Sequence, residues 1–339
     1  MTLPSGVRRA DGDDASPARH VESSGRRNDS PVCPSPPHGG YFHLPDVFSE
    51  VAKARSEYNV VLLESYCATT PSFRVWCALE SLAQQNPRAY VWYVMVSGAL
   101  EVTEGSLGAL LPRRYPNLRP VTVTPAQVFS GTPLEALFES GTWRTNTSWA
   151  EVNLADLMRL ALVWHLGGFY ADSDVVCVRP VTHLADVVAW QEMSTIGSGA
   201  FHFRRQHPLL LQIMSRAALT FQAARWGAGG PHVFTSLVKQ HCQGHGLAAG
   251  RAASCGDLTV LPIKAFYPVP APVWKTIFMP QTFIRPVAQR YRGSYLIHTW
   301  NQLSRGQLVA RDSGSIYDQA ARQFCPLTRQ LATAHSPFY

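Results

Sequence analysis

Long apolar runs are missing from this 339-residue chain: no stretch of 18 or more apolar residues occurs, so no membrane-spanning helix is encoded. The opening residues, rich in Pro, Ser, Arg and Asp, show no apolar core of a signal peptide. Lysine is scarce, appearing only at 53, 239, 264 and 275, and charged residues make up only 16% of the chain. The formal net charge is nevertheless +7, almost all of it carried by arginine. Arginine favours planar contacts to phosphate and carboxylate, which suits an anionic ligand or an anionic membrane surface. The arginines form no dense run beyond pairs such as Arg113-Arg114 and Arg204-Arg205, which argues against nucleic acid. C-x-x-C spacing is absent among the cysteines at 33, 67, 77, 177, 242, 255 and 325, against a zinc ribbon or thioredoxin-type motif. His241, Cys242 and His245 lack the rest of a metal set, whereas Cys242 and Cys255 flank a Gly/Ala-rich loop that a disulfide could close. Asn28-Asp29-Ser30 and Asn146-Thr147-Ser148 are N-glycosylation patterns, a weak pointer to a secretory compartment.

With 46% hydrophobic residues the chain can bury a large core. Residues 1–48 read as a disordered or linker-like arm by composition, and 49–339 as the folded domain. Val60-Val61-Leu62-Leu63, ending in Glu64-Ser65, reads as a first buried strand, with the core beginning at Asn59. Apolar residues at helical spacing follow from Phe73 to Gln85, stopped by Asn86-Pro87. Tyr90–Val96 and Val121–Val123 read as further strands. This alternation predicts an α/β fold with a Rossmann-like, mostly parallel central sheet flanked by helices, binding ligands at strand carboxyl ends near Glu64, Ser65 and Tyr66. Leu154–Leu166 is apolar nearly all round and reads as a buried helix ended by Gly167-Gly168. Further helices are expected near 207–224 and 231–241, and a strand at Ser294–His298.

After the buried helix comes Gly-Gly-Phe-Tyr-Ala-Asp-Ser-Asp, residues 167–174. In an extended chain Asp172 and Asp174 would project to one side, and two such carboxylates need a cation between them. A divalent ion with hard oxygen preference, Mn²⁺ or Mg²⁺, meets that need and can share its remaining positions with diphosphate oxygens. D-S-D is also ordinary turn chemistry, and D-x-D alone is a weak signal. Asp156 and Arg159, three apart on the buried helix, share a face. They read as a structural ion pair, as Asp156 helping an N-cap at Asn153, or as a pair facing a polar ligand such as a sugar.

The combined pattern, A-D-x-x-R followed seven residues later by G-G-F-Y-x-D-x-D, resembles the DXD glycosyltransferases with a GT-A fold. Further stretches resemble the lactosylceramide 4-α-galactosyltransferase and α-1,4-N-acetylglucosaminyltransferase group: Val61–Ser65, Phe73–Pro87 with Cys77 and Glu80-Ser81, Leu261–Pro268 with Trp274-Lys275, His298–Asn301 and Cys325-Pro326. The resemblance covers roughly residues 57–330, with a donor-binding half to about 180 and an acceptor-side half from 181. It implies a retaining, α-1,4-linking transferase that uses a UDP-sugar and Mn²⁺ in the Golgi lumen, with a galactose-terminated glycolipid or glycan as acceptor. It implies Asp172 and Asp174 as metal ligands with His298 beside them, and Asp156 and Arg159 on the donor sugar. Glu64, Ser65 and Tyr66 would lie near uridine, His298 and Trp300 over the diphosphate, and Gly229-Gly230-Pro231 near the acceptor, where a helix-start turn is the plainer reading. The catalytic set is then Asp172, Asp174 and Asp156. Ser198-Gly199 stands where relatives often carry Asn-Gly, which bears on donor choice.

The resemblance implies an N-terminal membrane anchor that residues 1–48 do not show, so the alternatives are an incomplete or misjoined start, the favoured expectation, or a soluble form. Association with a membrane would then run through the acceptor, and the apolar, Pro-rich 262–280 segment is either a packed loop or a membrane contact. Two rivals are weaker. Asp172–Val176 also fits the first motif of haloacid-dehalogenase-type phosphatases, but the acids downstream of Lys239 and Lys264 are too scattered for that chemistry. A catalytically inactive glycan- or partner-binding protein on the same fold would be signalled by a lost acid, and none is lost.

Overall fold

The computed structural model describes residue 33, residues 41–54, 58–280 and 287–334, and residues 336 and 338. The strands are β1 (Tyr41–His43), β2 (Asn59–Glu64), β3 (Tyr90–Met95), β4 (Ala99–Glu101), β5 (Leu118–Thr122), β6 (Gly168–Ala171), β7 (Val175–Cys177), β8 (Val187–Trp190), β9 (Ile196–Phe203), β10 (Ala253–Cys255), β11 (Leu258–Leu261) and β12 (Leu296–His298). Eight form one sheet in the order β10-β11-β8-β9-β6-β2-β3-β5. Its β6-β2-β3-β5 side is parallel throughout, β11 pairs β8 in parallel, and β9 runs antiparallel to both of its neighbours. The expected α/β architecture, a mostly parallel sheet flanked by helices, is therefore present.

Burial on both faces explains the near-continuous apolar strands. Val60 and Leu62 of β2 pack with Trp76, Leu79 and Leu82 of the helix Phe73–Gln85 on one face. Val61 and Leu63 pack with Leu157, Leu160 and Ala161 of the helix Ala150–Leu166 on the other. Asn86 ends the first helix, as the sequence suggests, and Ser72 caps its start by accepting the Val75 amide. Gly167 (φ 65°) and Gly168 (φ 122°) turn the second helix straight into β6, where a Cβ on Gly168 would strike the Asn59 carbonyl. Only glycine passes there.

Several expected boundaries shift. Ordered structure begins ahead of position 48, because β1 pairs with β4 and a helix runs Val47–Lys53. The rest of the expected arm, with the Asn28 pattern, lies outside the described residues apart from Cys33. The buried helix starts at Ala150 rather than 154, so Asn153 is not its N-cap and Asp156 stands in its body. The Asn153 amide instead donates to the carbonyls of Trp143 and Ala223. A division near 180 falls within a single sheet, since β8, β9, β10 and β11 extend the sheet that β2, β3, β5 and β6 begin.

Candidate active site

Parallel β2 and β6 lie side by side, and their carboxyl ends deliver Glu64 and Ala171 to the same edge. Beyond Ala171 the chain turns rather than continuing as a strand, so strand alternation does not bring the two aspartates together. They converge through the second small sheet, where β12 pairs β7 with His298 opposite Val175. His298 Nε2 then lies 3.3 Å from an Asp174 oxygen and 3.9 Å from an Asp172 oxygen. One ligand atom from each of Asp172, Asp174 and His298 falls within 4.8 Å of the others. The backbone locks this turn: Thr299 donates its amide and hydroxyl to the Asp174 carbonyl, and the Asn301 amide donates to Asp174 Oδ2 at 2.6 Å.

The donor set suits a hard divalent cation, with two carboxylates and one imidazole. Burial opposes a charged His298 ring, but Asp174 and then Asp172 outweigh it and raise its pKa. Its Nδ1 accepts the Trp300 amide at 3.1 Å, which leaves the neutral ring's proton on Nε2, facing the carboxylates. A neutral His298 can ligate through Nε2 only as the other tautomer, with its proton moved to Nδ1 and the Trp300 contact loosened.

Asp156 and Arg159 reach the same place from the buried helix. Arg159 spans both acids, 3.1 Å from Asp156 Oδ1 and 3.3 Å from Asp172 Oδ1, and donates to the Ser198 carbonyl at 3.1 Å. Burial raises the pKa of Asp156 to about 6, with the Asp172 charge adding and Arg159 opposing. For Asp172 burial also pushes upward, but Arg159, then His298 and Tyr170, hold its carboxyl below the usual range. Two acids of opposite tendency, Asp156 buried and Asp172 partly exposed, thus share one guanidinium.

The remaining expected residues fall into place unevenly. Glu64 is buried and accepts the Tyr66 amide at 2.7 Å, while the Tyr66 ring is half exposed and feels Glu64, Glu151, Arg159 and Asp172. The Ser65 hydroxyl is buried without a hydrogen-bond partner among the described residues. Ser198 reaches Arg159 through its carbonyl, and Gly199 is required, since a Cβ would sit 2.5 Å from Asp172 Oδ2. Gly230 backs directly onto Asp156, where a Cβ would meet Oδ2 at 2.5 Å, so Gly229-Gly230 both starts the helix Pro231–His241 and roofs the acid. Trp300 is largely buried in a left-handed conformation (φ 58°), and its indole N–H is committed to the Val269 carbonyl. It supports His298, 4.5 Å between ring centroids, rather than offering a free donor.

Two tyrosines escaped the sequence reading. Tyr170 donates to Asp172 Oδ1 at 2.8 Å and lies under the Arg159 guanidinium. Its place two residues before Asp172 was the available signal. Tyr267 is buried against His298 and Trp300, its hydroxyl over Gly197 and Gly199, and nothing in its local sequence marks this.

The carboxyl edge of this α/β sheet gathers a D-x-D pair and a buried Asp–Arg pair beside an imidazole, a set that could hold a divalent cation. Comparison with known proteins gives the chain its family. Residues 72–194 match the model of the glycosyltransferase sugar-binding region containing the DXD motif, and residues 202–332 match that of the alpha 1,4-glycosyltransferase conserved region, together more than half of the chain. The chain belongs to these DXD-containing α-1,4-type glycosyltransferases. It is 29% identical over 279 residues to lactosylceramide 4-alpha-galactosyltransferase of Rattus norvegicus, covering 82% of this chain and 76% of that one. It is 25% identical over 276 residues to alpha-1,4-N-acetylglucosaminyltransferase of Homo sapiens, covering 80% and 79%. Among solved structures it is similar to the PaToxG glycosyltransferase (16% identity, 57% of this chain and 73% of that one, TM-score 0.42). It is also similar to galactosyltransferase LgtC in complex with donor and acceptor sugar analogs (14% identity, 80% and 95%, TM-score 0.36).

Proposed function

We propose that this glycosyltransferase moves a hexose or N-acetylhexosamine from a UDP-sugar to a galactose-terminated glycolipid, forming an α-1,4 linkage with retention, in the Golgi lumen and with Mn²⁺. The observation that carries this reading is the convergence of Asp172, Asp174 and His298 beside Arg159 and Asp156. Bound Mn²⁺ would offset the charge that develops on the diphosphate leaving group. Asp172 and Asp174 would hold it, with His298 joining once Nε2 is free of its proton. Asp156 and Arg159 would receive donor-sugar hydroxyls, the carboxylate accepting and the guanidinium donating. The half-exposed Tyr66 ring offers a flat face for the uracil. Gly229-Gly230-Pro231, lying over Asp156, would border the acceptor. The lactosylceramide-acting relatives support the glycolipid acceptor, and Ser198-Gly199 in place of Asn-Gly leaves the donor sugar to experiment.

The test is UDP release from a panel of UDP-sugars with Mn²⁺ and then with EDTA, alone and with lactose-type acceptors. Release that needs metal, prefers one sugar and drops by more than 100-fold in Asp174→Asn, on the order expected for a lost charge-stabilising group, supports the reading. A folded protein that releases UDP from no sugar under any of these conditions would instead be a glycan- or partner-binding member of the family.

A further inference from the structure

From Leu258 to Arg311 the sequence contains no aspartate or glutamate, yet it carries two lysines and five arginines. This one-signed segment supplies β11, the 3₁₀ turn Ala271–Ile277, β12 and the short helix Asn301–Ser304. The turn and the short helix pack against each other. Arg74, from the helix Phe73–Gln85, fastens them: its guanidinium lies 4.5 Å over the Phe278 ring and donates to the Ser304 carbonyl and hydroxyl at 2.8 and 2.9 Å, and to the Gln307 carbonyl. Around this staple four large apolar side chains point outward: Val273 (48% exposed), Met279 (56%), Leu303 (52%) and Leu308 (62%). Lys275 and Arg305 stand exposed among them. Asp174, which accepts the Asn301 amide, and Asp312, which follows the segment in sequence, are already engaged, the latter by Arg322 and Arg329.

We propose that this face docks on an anionic lipid surface, with Val273, Met279, Leu303 and Leu308 entering the headgroup boundary and Lys275 and Arg305 pairing with lipid headgroup anions. Exposed apolar side chains among cations, without acids in the segment, are the chemistry of an interfacial anchor. A protein partner would more often be met by an apolar centre with mixed-sign charge at its rim. The face also adjoins the site, because Asn301, two residues before Leu303, holds Asp174. Docking would set the D-x-D edge at headgroup level. The surface chemistry stands alone, while its use in presenting a glycolipid rests on the proposed function.

The experiment is co-sedimentation of the full chain with extruded vesicles of phosphatidylcholine alone and of phosphatidylcholine mixed with phosphatidylserine. Wild type is expected to partition preferentially to the anionic vesicles, less so at high salt. Lys275→Gln with Arg305→Gln should weaken that partition about 25-fold, at about fivefold per cation near an anionic surface. Leu303→Ser with Met279→Ser should weaken partition to both vesicle types. Far-UV circular dichroism and thermal melts keep the variants comparable. Absence of vesicle binding by wild type, or equal binding by wild type and both folded variants, overturns the proposal, as does preference for neutral vesicles. Vesicle binding by a chain that releases UDP from no sugar would sink the transferase reading and leave this surface standing.

Discussion

Asp156 is the residue in which the sequence left three meanings open, and its surroundings decide among them. It is not a helix-cap acid, because the helix begins six residues earlier. It is ion-paired, yet burial keeps its pKa near 6, so the pair is held at a cost and not as a simple stabiliser. The sign follows. Between the unfolded value of about 4 and the folded value of about 6, the native state binds the extra proton, so this group's contribution to stability falls as pH rises through that window. Thermal melts of wild type and Asp156→Asn across pH should show wild type losing stability relative to the variant between about pH 4 and about pH 6, then a constant difference. The same carboxylate, ionised only above about 6, should give UDP-sugar binding an acidic limb that Asp156→Asn lacks. Parallel stability profiles for the two proteins would show that Asp156 is not the titrating group.

Elements were legible where local pattern decides them and not where a distant chain segment does. The helix Phe73–Gln85 matches its apolar spacing and its expected end at Asn86 residue for residue. By contrast, β1 and the first turn of the helix Val47–Lys53 fell at the edge of a stretch whose overall composition reads as linker. Glu80 shows the same limit, a fully buried acid in the middle of an apolar helix face. Its carboxylate accepts the Leu327 and Thr328 amides at 3.0 and 2.8 Å, capping the start of the helix Pro326–Ala332. One turn away Cys77 is bonded to Cys325, 248 residues later in sequence. These two links, both from one face of one helix, hold the C-terminal helices on the sheet. Cys77→Ala with Cys325→Ala should therefore cost about 3–5 kcal/mol, given the length of the loop released. Urea unfolding reads this directly. A loss below about 1 kcal/mol, within the spread of ordinary surface substitutions, would mean that Glu80 and packing suffice.

At the scale of the whole molecule, the site was legible in its parts and not in its assembly. D-x-D, A-D-x-x-R and H-x-W could be read, but the 124 residues from Asp174 to His298 separate ligands that only the β7–β12 pairing joins. Tyr267, packed against His298 and Trp300, belongs to that assembly and carries no local signature of its role. The cysteines show the same contrast: the short Cys242–Cys255 loop could be read in sequence, whereas Cys33–Cys67 and Cys77–Cys325 could not be paired from spacing. Six of seven cysteines are in disulfides, a pairing typical of oxidising compartments, which supports the proposed lumenal location. Cys177 remains free, buried in β7 three residues after Asp174, and burial pushes its thiol up to about 12. Its backbone amide is bound by the Ser81 hydroxyl, and its sulfur donates to the Arg179 carbonyl. A thiol that is neither exposed nor ionised does not react. Native protein should therefore consume no thiol reagent, denatured unreduced protein one equivalent, and denatured reduced protein seven. A native protein that titrates one thiol would open the strand beside the metal ligands to solvent, and two or more after denaturation would break the pairing that closes the fold.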